Sequence, residues 1–295
     1  YKSCTCHKIQ NGIGRKTDKS SGRTSKYIRD DEVNGVKEVL IIIPAYNEEK
    51  NISKVLDRLE QPEIAEFADI LVMNDASSDN TNWIVKARHH AVVTHVFNLG
   101  YGSALQLGYK YAIRCNYRYV IQMDADGQHD AGNLINLYRA LKTPDENGVY
   151  PDIVLGSRYL NDSPYFETSA LKRFAFFLFR HIIKWSTGRT IMDPTTGLQG
   201  LSRRAALCYS KFGNFDEKYP DANMITNMLL SDFNIVEIPA VMHLREHGKS
   251  MHSGLKPIGY MFHMFFSILA VLIRQKIFKN VPKAERYNND IQKTQ

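Results

Sequence analysis

From residue 39 onward the chain repeats one pattern: a short β-branched apolar run, a stretch of helical length, then another run. The run Val-Leu-Ile-Ile-Ile at 39–43 reads as a fully buried strand stopped by Pro44. A helix is expected over residues 47–60, with Ile52, Val55, Leu56 and Leu59 along one face. A second strand is expected over 69–73, with Ser77 or Asp79 capping the helix that runs to about residue 90. Strands over 92–97, 119–123 and 152–155 then alternate with helices over 103–114 and 131–141. Strands alternating with helices in this way imply right-handed crossovers and a parallel sheet covered on both faces. The expected fold class is therefore α/β: a Rossmann-like, mostly parallel sheet, followed by C-terminal amphipathic or apolar helices.

Polar clusters fall where these strands end, and ligands of open α/β sheets bind at the carboxyl ends of strands. Three segments should meet at one crevice: residues 44–48, 74–79 and 124–126. The sharpest is Asp124-Ala125-Asp126, followed by Gly127, which lets the chain turn away. Two hard oxygen ligands side by side suit Mg²⁺ or Mn²⁺ bridging a diphosphate.

Other chemistries are disfavoured. Gly100 and Gly102 precede a helix, but Leu105 stands where a dinucleotide fingerprint needs its third glycine, so NAD is not expected. The histidines show no HExxH-like spacing, although His129 follows the Asp pair closely enough to serve the metal shell or the acceptor side. Four unevenly placed cysteines provide no disulfide framework, which points to a reducing compartment. Cys4 and Cys6 lack a second ligand pair at zinc spacing.

The net charge of +7 sits largely in residues 1–37, where nine Lys/Arg face four acids in a Ser-, Thr- and Gly-rich segment. This reads as a flexible basic arm with no signal-peptide run. The near-neutral remainder argues against a nucleic-acid partner. Two apolar helices with basic flanks are expected over 171–185 and 257–273. The second is shorter than the ~20 residues of a membrane span and suits a helix lying in the interface plane.

Taken together, Ile-Pro-Ala-Tyr-Asn-Glu-Glu at 43–49, Asn-Asp-Ala-Ser-Ser-Asp at 74–79, Asn-Leu-Gly-Tyr-Gly-Ser at 98–103, Asp-Ala-Asp-Gly-Gln at 124–128 and Gly-Ser-Arg at 156–158 resemble, in order and spacing, family 2 glycosyltransferases of the GT-A fold. Asp-Pro-Thr-Thr-Gly-Leu at 193–198 and Arg-Glu-His-Gly-Lys-Ser at 245–250 resemble further segments of the dolichyl- and undecaprenyl-phosphate sugar transferases and their bacterial polysaccharide relatives. The resemblance implies a catalytic domain over 38–255, with 256–295 contacting a membrane surface or a small membrane partner protein.

It also implies an inverting, metal-dependent transfer from a nucleotide-diphosphate sugar, UDP favoured, to polyprenyl phosphate or a lipid-linked glycan at the cytoplasmic face of the cell membrane. Pro44, Ala45, Tyr46, Asn47, Glu48, Asn74, Asp75, Gly100, Gly102, Asp124, Ala125, Arg245, Lys249 and Ser250 would bind the donor. Asp75 would accept from the base, and the glycines would let backbone approach the ligand. Asp126 and Asp124 would hold Mg²⁺ or Mn²⁺. Asp221 or Asp193 would be the acceptor-side base, unless the acceptor oxygen is already anionic. A sugar-1-phosphate nucleotidyltransferase and a non-catalytic scaffold of the same fold remain as alternative readings.

Overall fold

A computed structural model describes residues 37–160, 170–243, 256–277 and 283–292. All of the expected basic arm except Lys37 lies outside the described residues. In chain order the elements are β1 (Val39–Ala45), α1 (Ile52–Leu59), α2 (Pro62–Ala65), β2 (Ala68–Asn74), α3 (Thr81–Ala87), β3 (Ala91–Thr94), α4 (Tyr101–Arg114), β4 (Tyr119–Gln122) and α5 (Ala131–Leu141). They continue with β5 (Ile153–Ser157), α6 (Ala170–Thr187), β6 (Gln199–Ser202), α7 (Arg203–Ser210), α8 (Ala222–Leu230), β7 (Ile235–Pro239), α9 (Lys256–Ile277) and α10 (Ala284–Gln292).

The strands form one seven-stranded sheet in the order β3-β2-β1-β4-β6-β5-β7. Every pairing is parallel except those of β6, which runs against both β4 and β5. Alternation along β1 divides the core into two layers. Leu40 and Ile42 pack with α4, α7, α8 and the buried residues of α6 and α9. Val39, Ile41 and Ile43 pack with α1, α3 and α5 on the opposite face. Complete burial of β1 explains its unbroken apolar run.

Four expectations need correction. β1 does not stop at Pro44 but continues through it, with Pro44 paired to Met73 and Ala45 to Asn74. The backbone carbonyl of Ile42 faces β4, accepting from the Met123 amide. Pro44 shares that parity, so its missing N–H falls on the β4 side, where the ladder ends at Gln122. The first helix starts at Ile52 rather than 47, because Asn47 adopts a left-handed φ of 55°. The third strand ends at Thr94, leaving Val96 and Phe97 exposed beyond it. Finally, α9 extends to Ile277, a length of about 33 Å at 1.5 Å per residue.

Gly102 locks two parts of the fold together. It lies in the first turn of α4, where any Cβ would overlap the backbone of Asp216 and Glu217. In addition, the Ser103 amide donates to the Glu217 carbonyl at 3.1 Å. The glycine thus admits the chain's own 216–217 loop rather than a ligand, contrary to the expectation from sequence. Because backbone cannot retreat as a flexible side chain can, Gly102→Ala should lower the unfolding free energy by about 1–3 kcal/mol. Urea unfolding of the variant beside the parent checks this.

Candidate active site

The loops that follow β1 and β2 are bound to each other. The Asn47 amide donates to Ser77 Oγ at 3.0 Å, Asn47 Oδ1 accepts from the Ser78 amide at 2.9 Å, and the Glu48 amide donates to Thr81 Oγ1 at 2.8 Å. Asp79 accepts from both the Glu49 and the Thr81 amides. Tyr46 projects from this frame and is 50% exposed, whereas Pro44 and Ala45 are buried in the strand.

Asn74 and Asp75 are used differently from what the sequence suggests. Asn74 is buried and accepts from the Ser77 amide at 3.1 Å, which makes it an Asx-turn residue. Asp75 is also buried; it accepts from His95 Nδ1 at 2.7 Å and from the Leu99 and Gly100 amides at 2.8 Å each. With three bonds to the protein, Asp75 clamps the β3–α4 loop. Gly100, at φ 95°, is the left-handed residue that this clamp holds at the start of α4.

Past the end of β4, Asp124 and Asp126 stand at the mouth of the sheet. Ala125 between them is buried in the α1/α5 layer, so its side chain faces core rather than ligand. Asp126 is 7% exposed, with Oδ1 accepting from the Gln128 amide at 3.0 Å. Asp124 Oδ1 accepts from the Tyr101 hydroxyl at 2.9 Å. Its Oδ2 lies against Gly197, where a Cβ would come within 2.6 Å, and 3.6 Å from Nε2 of the buried His129. Neither ring nitrogen of His129 has a hydrogen-bond partner among the described residues.

Two carboxylates two residues apart, one of them 3.6 Å from the His129 imidazole, suit a hard divalent cation. Among the described residues, no group of three or more His, Cys, Asp or Glu side chains is arranged to hold a metal ion. A Mg²⁺-type site needs no such group, since one or two carboxylates can be completed by substrate phosphates and water.

Across the crevice stands Asp221, at the N-terminus of α8. Its side chain makes no capping bond; Asn223 Oδ1 accepts from the Asp221 and Met224 amides in its stead. The Asp221 carboxylate accepts from the Tyr260 hydroxyl of α9 at 2.7 Å. Burial, reinforced by the charges of Asp124 and Asp216, pushes it up to about 7 against the opposing effects of Tyr260 and Arg158. Burial also raises the Tyr101 hydroxyl, and the charges of Asp124 and Asp221 raise it further.

Asp193, the other candidate base, is fully buried. Arg158 binds both its oxygens at 2.7 Å, and its own amide donates to Glu237. An acid held in this way positions Arg158 and has no lone pair directed at an acceptor, so the expectation of a base at Asp193 is corrected. Arg245, Lys249 and Ser250 lie outside the described residues. The sequence reading missed Tyr101 and Tyr260, since nothing in local spacing ties a tyrosine to an acid 23 or 39 residues away.

A carboxyl held near 7 when folded and ~3.9 when unfolded binds its proton more tightly in the native state. Stability is then lost as pH rises from about 4 to about 7 and stays low above that range. Asp221→Asn should abolish this loss and be more stable than the parent by up to about 4 kcal/mol at pH 8, with the gap closing towards pH 4. Metal-free urea titrations at both pH values measure it.

The sequence profile of "Glycosyl transferase family 2" matches residues 40–209, more than half of the chain. An uncharacterized protein of Methanocaldococcus jannaschii is 27% identical over 241 residues, covering 82% of this chain and 93% of its own. The polyprenol monophosphomannose synthase of Mycolicibacterium smegmatis is 27% identical over 237 residues, covering 75% and 83%. The UDP-N-acetylglucosamine–dolichyl-phosphate N-acetylglucosaminyltransferase of Methanococcus voltae is 26% identical over 186 residues, covering 57% and 71%. Among solved structures, glucosyl-3-phosphoglycerate synthase from Mycobacterium tuberculosis, crystallised with Mn²⁺, UDP-glucose and phosphoglyceric acid, superposes with a TM-score of 0.58 at 18% identity over 80% of each chain. The sheet order, the carboxylate pair past β4 and the matched profile agree, and the chain belongs to glycosyl transferase family 2.

Proposed function

We propose that this glycosyltransferase moves a sugar from a UDP-linked donor to a polyprenyl phosphate, with inversion, at the cytoplasmic surface of a membrane. One observation carries the reading: α9 presents an exposed apolar face on its outer side and, on its inner side, touches the acid that stands across from Asp124. Phe262, Phe266, Leu269 and Ile273 are exposed along that outer face, and only 11% of the stretch from Gly259 to Ile277 is buried. Phe177 and Trp185 add exposed aromatics on α6, which also packs on α8.

The stretch from Gly259 to Ile277 is long and apolar enough to cross a membrane by composition alone. Its contacts with the sheet domain favour a helix lying on the surface instead. Met264 and Ile268 are buried in the core, Ser267 accepts from Asn223, Arg274 donates to the Gly213 carbonyl, and Gln275 reaches Asn227 and Ser231. A helix held along its length by a water-soluble domain can offer lipid only its free side.

Within the crevice, Asp126 and Asp124 would hold Mg²⁺ or Mn²⁺ beside the donor's diphosphate. Such an ion neutralises charge on the departing nucleoside diphosphate. Tyr46, projecting from the stitched β1 and β2 loops, is placed to contact the nucleoside. A polyprenyl phosphate oxygen is already anionic, so no base has to create the nucleophile. Asp221, still largely protonated below neutral pH, can donate a hydrogen bond to that phosphate without repelling it. Arg245, Lys249 and Ser250 follow in the sequence on His243, whose amide donates to the Gln128 carbonyl at 2.7 Å. They supply the cations and hydroxyl suited to phosphate oxygens. The resemblance to polyprenyl- and dolichyl-phosphate sugar transferases supports the acceptor class.

Asp126→Ala should keep the fold, abolish the Mn²⁺ enhancement of UDP binding in calorimetry, and lower donor turnover at least ~100-fold; metal-enhanced binding that persists refutes the metal role. The triple change Phe262→Ser, Phe266→Ser and Ile273→Ser should release the protein from anionic vesicles in a flotation assay by about tenfold or more. Unchanged flotation would remove α9 from the membrane contact.

A further inference from the structure

We propose that Tyr260 is a positioning residue for Asp221, so that the lipid-facing helix α9 sets the acceptor-side acid from its inner face.

The local geometry is unusual for a helix start. Asp is a favoured N-cap because its carboxylate can bind the free amides of the first turn. Asp221 occupies that place but gives its carboxylate to none of them; Asn223 accepts from the Met224 amide in its stead. The acid is thereby freed to turn outward, and the Tyr260 hydroxyl holds it there at 2.7 Å. Tyr260 is itself fixed: the Tyr219 ring meets it edge-on with centroids 5.5 Å apart, and Tyr219 also meets His263, one turn along α9, edge-on at 5.2 Å.

The rest of the α8–α9 contact continues the same stripe. Tyr260, Met264, Ser267 and Ile268 recur at the 4-, 7- and 8-residue spacing of one helix face. Met264 and Ile268 are buried, and Ser267 Oγ accepts from Asn223 Nδ2 at 2.7 Å. That same amide donates to Asp216, whose backbone packs on Gly102 at the start of α4. Asn223 therefore links three things: the cap that frees Asp221, the seating of α9, and the loop that abuts Tyr101. A shift of α9 along or away from α8 withdraws the Tyr260 hydroxyl and leaves the Asp221 carboxylate without its donor from α9. Lipid against Phe262 and Phe266 presses on the opposite side of this helix, so engagement of the membrane and orientation of the acid are set by one rigid element.

The proposal rests on the reading that Asp221 serves the acceptor, and a double-mutant cycle in the full chain separates the two. Tyr260→Phe keeps the ring and its contact with Tyr219 while deleting the hydroxyl. With UDP-sugar, Mn²⁺ and a polyprenyl phosphate, it should lower kcat about 10- to 100-fold, leave the donor KM within twofold, and leave UDP–Mn²⁺ binding unchanged. In an Asp221→Asn background the same change should alter kcat by less than twofold. An equal loss in both backgrounds, or an unaltered kcat in the single variant, overturns the proposal.

Thermal unfolding of the same four proteins reads the contact without turnover. The Tm loss from Tyr260→Phe should disappear in the Asp221→Asn background, and an equal loss in both overturns the link. If the parent transfers no sugar while the Tm cycle still shows coupling, the acceptor reading fails and the Tyr260–Asp221 contact stands.

Discussion

The site depends on the direction of one strand. β6 runs against β4, so the chain entering β6 arrives at the end of the sheet where β4 delivers its acids. Gln122 donates to the Gly197 carbonyl at 3.1 Å, and Gly197 leaves room for the Asp124 carboxylate beside it. Were β6 parallel, the segment 193–198 would lie at the opposite end of the sheet, and with it the Asp193–Arg158 pair. One antiparallel strand in an otherwise parallel sheet thus closes one side of the crevice, while the loops after β1 and β2 close the other.

Around that crevice the charges are divided between two tasks. Arg158 and Asp193 neutralise each other in a buried, bidentate pair, an arrangement that fixes geometry more than it adds stability. Asp124, Asp216 and Asp221 gather on the other side, and the rise of Asp221 to about 7 records first its burial and then the charges of Asp124 and Asp216. Such crowding opposes folding by itself. It becomes useful only when something cationic or proton-bearing occupies the crevice, which is why perturbed acids of this kind collect where ligands bind.

The sequence made β1, β2, β4 and the carboxylate pair legible because each is local: an apolar run of strand length followed by a polar stop. β6 and β7 were missed. Gln-Gly-Leu-Ser is too short and too polar to signal a strand, and Gly200 is there because Leu137 and Leu141 of α5 press on it. Ile-Val-Glu-Ile-Pro of β7 alternates weakly, and its Glu237 is spent on the backbone around Asp193. Roles that require a distant partner were also hidden. Asp193 carries the same side chain as Asp221, and only the presence of Arg158 against one and Tyr260 against the other distinguishes their surroundings. Likewise Gly102 invites a ligand reading until the 216–217 loop is seen to fill the space.

Pro44 has a consequence for the opening itself. In a parallel ladder the next rung after the Met123–Ile42 bond would require residue 44 to donate to the Met123 carbonyl. A proline has no hydrogen to give, so the zipper between β1 and β4 stops one step before the acids. From there the polypeptide is no longer obliged to follow its neighbour and can bend away, carrying Asp124 and Asp126 off the plane of the sheet. The imino acid therefore works as a fixed stop, keeping the two central strands from sealing the gap in which a substrate must lie.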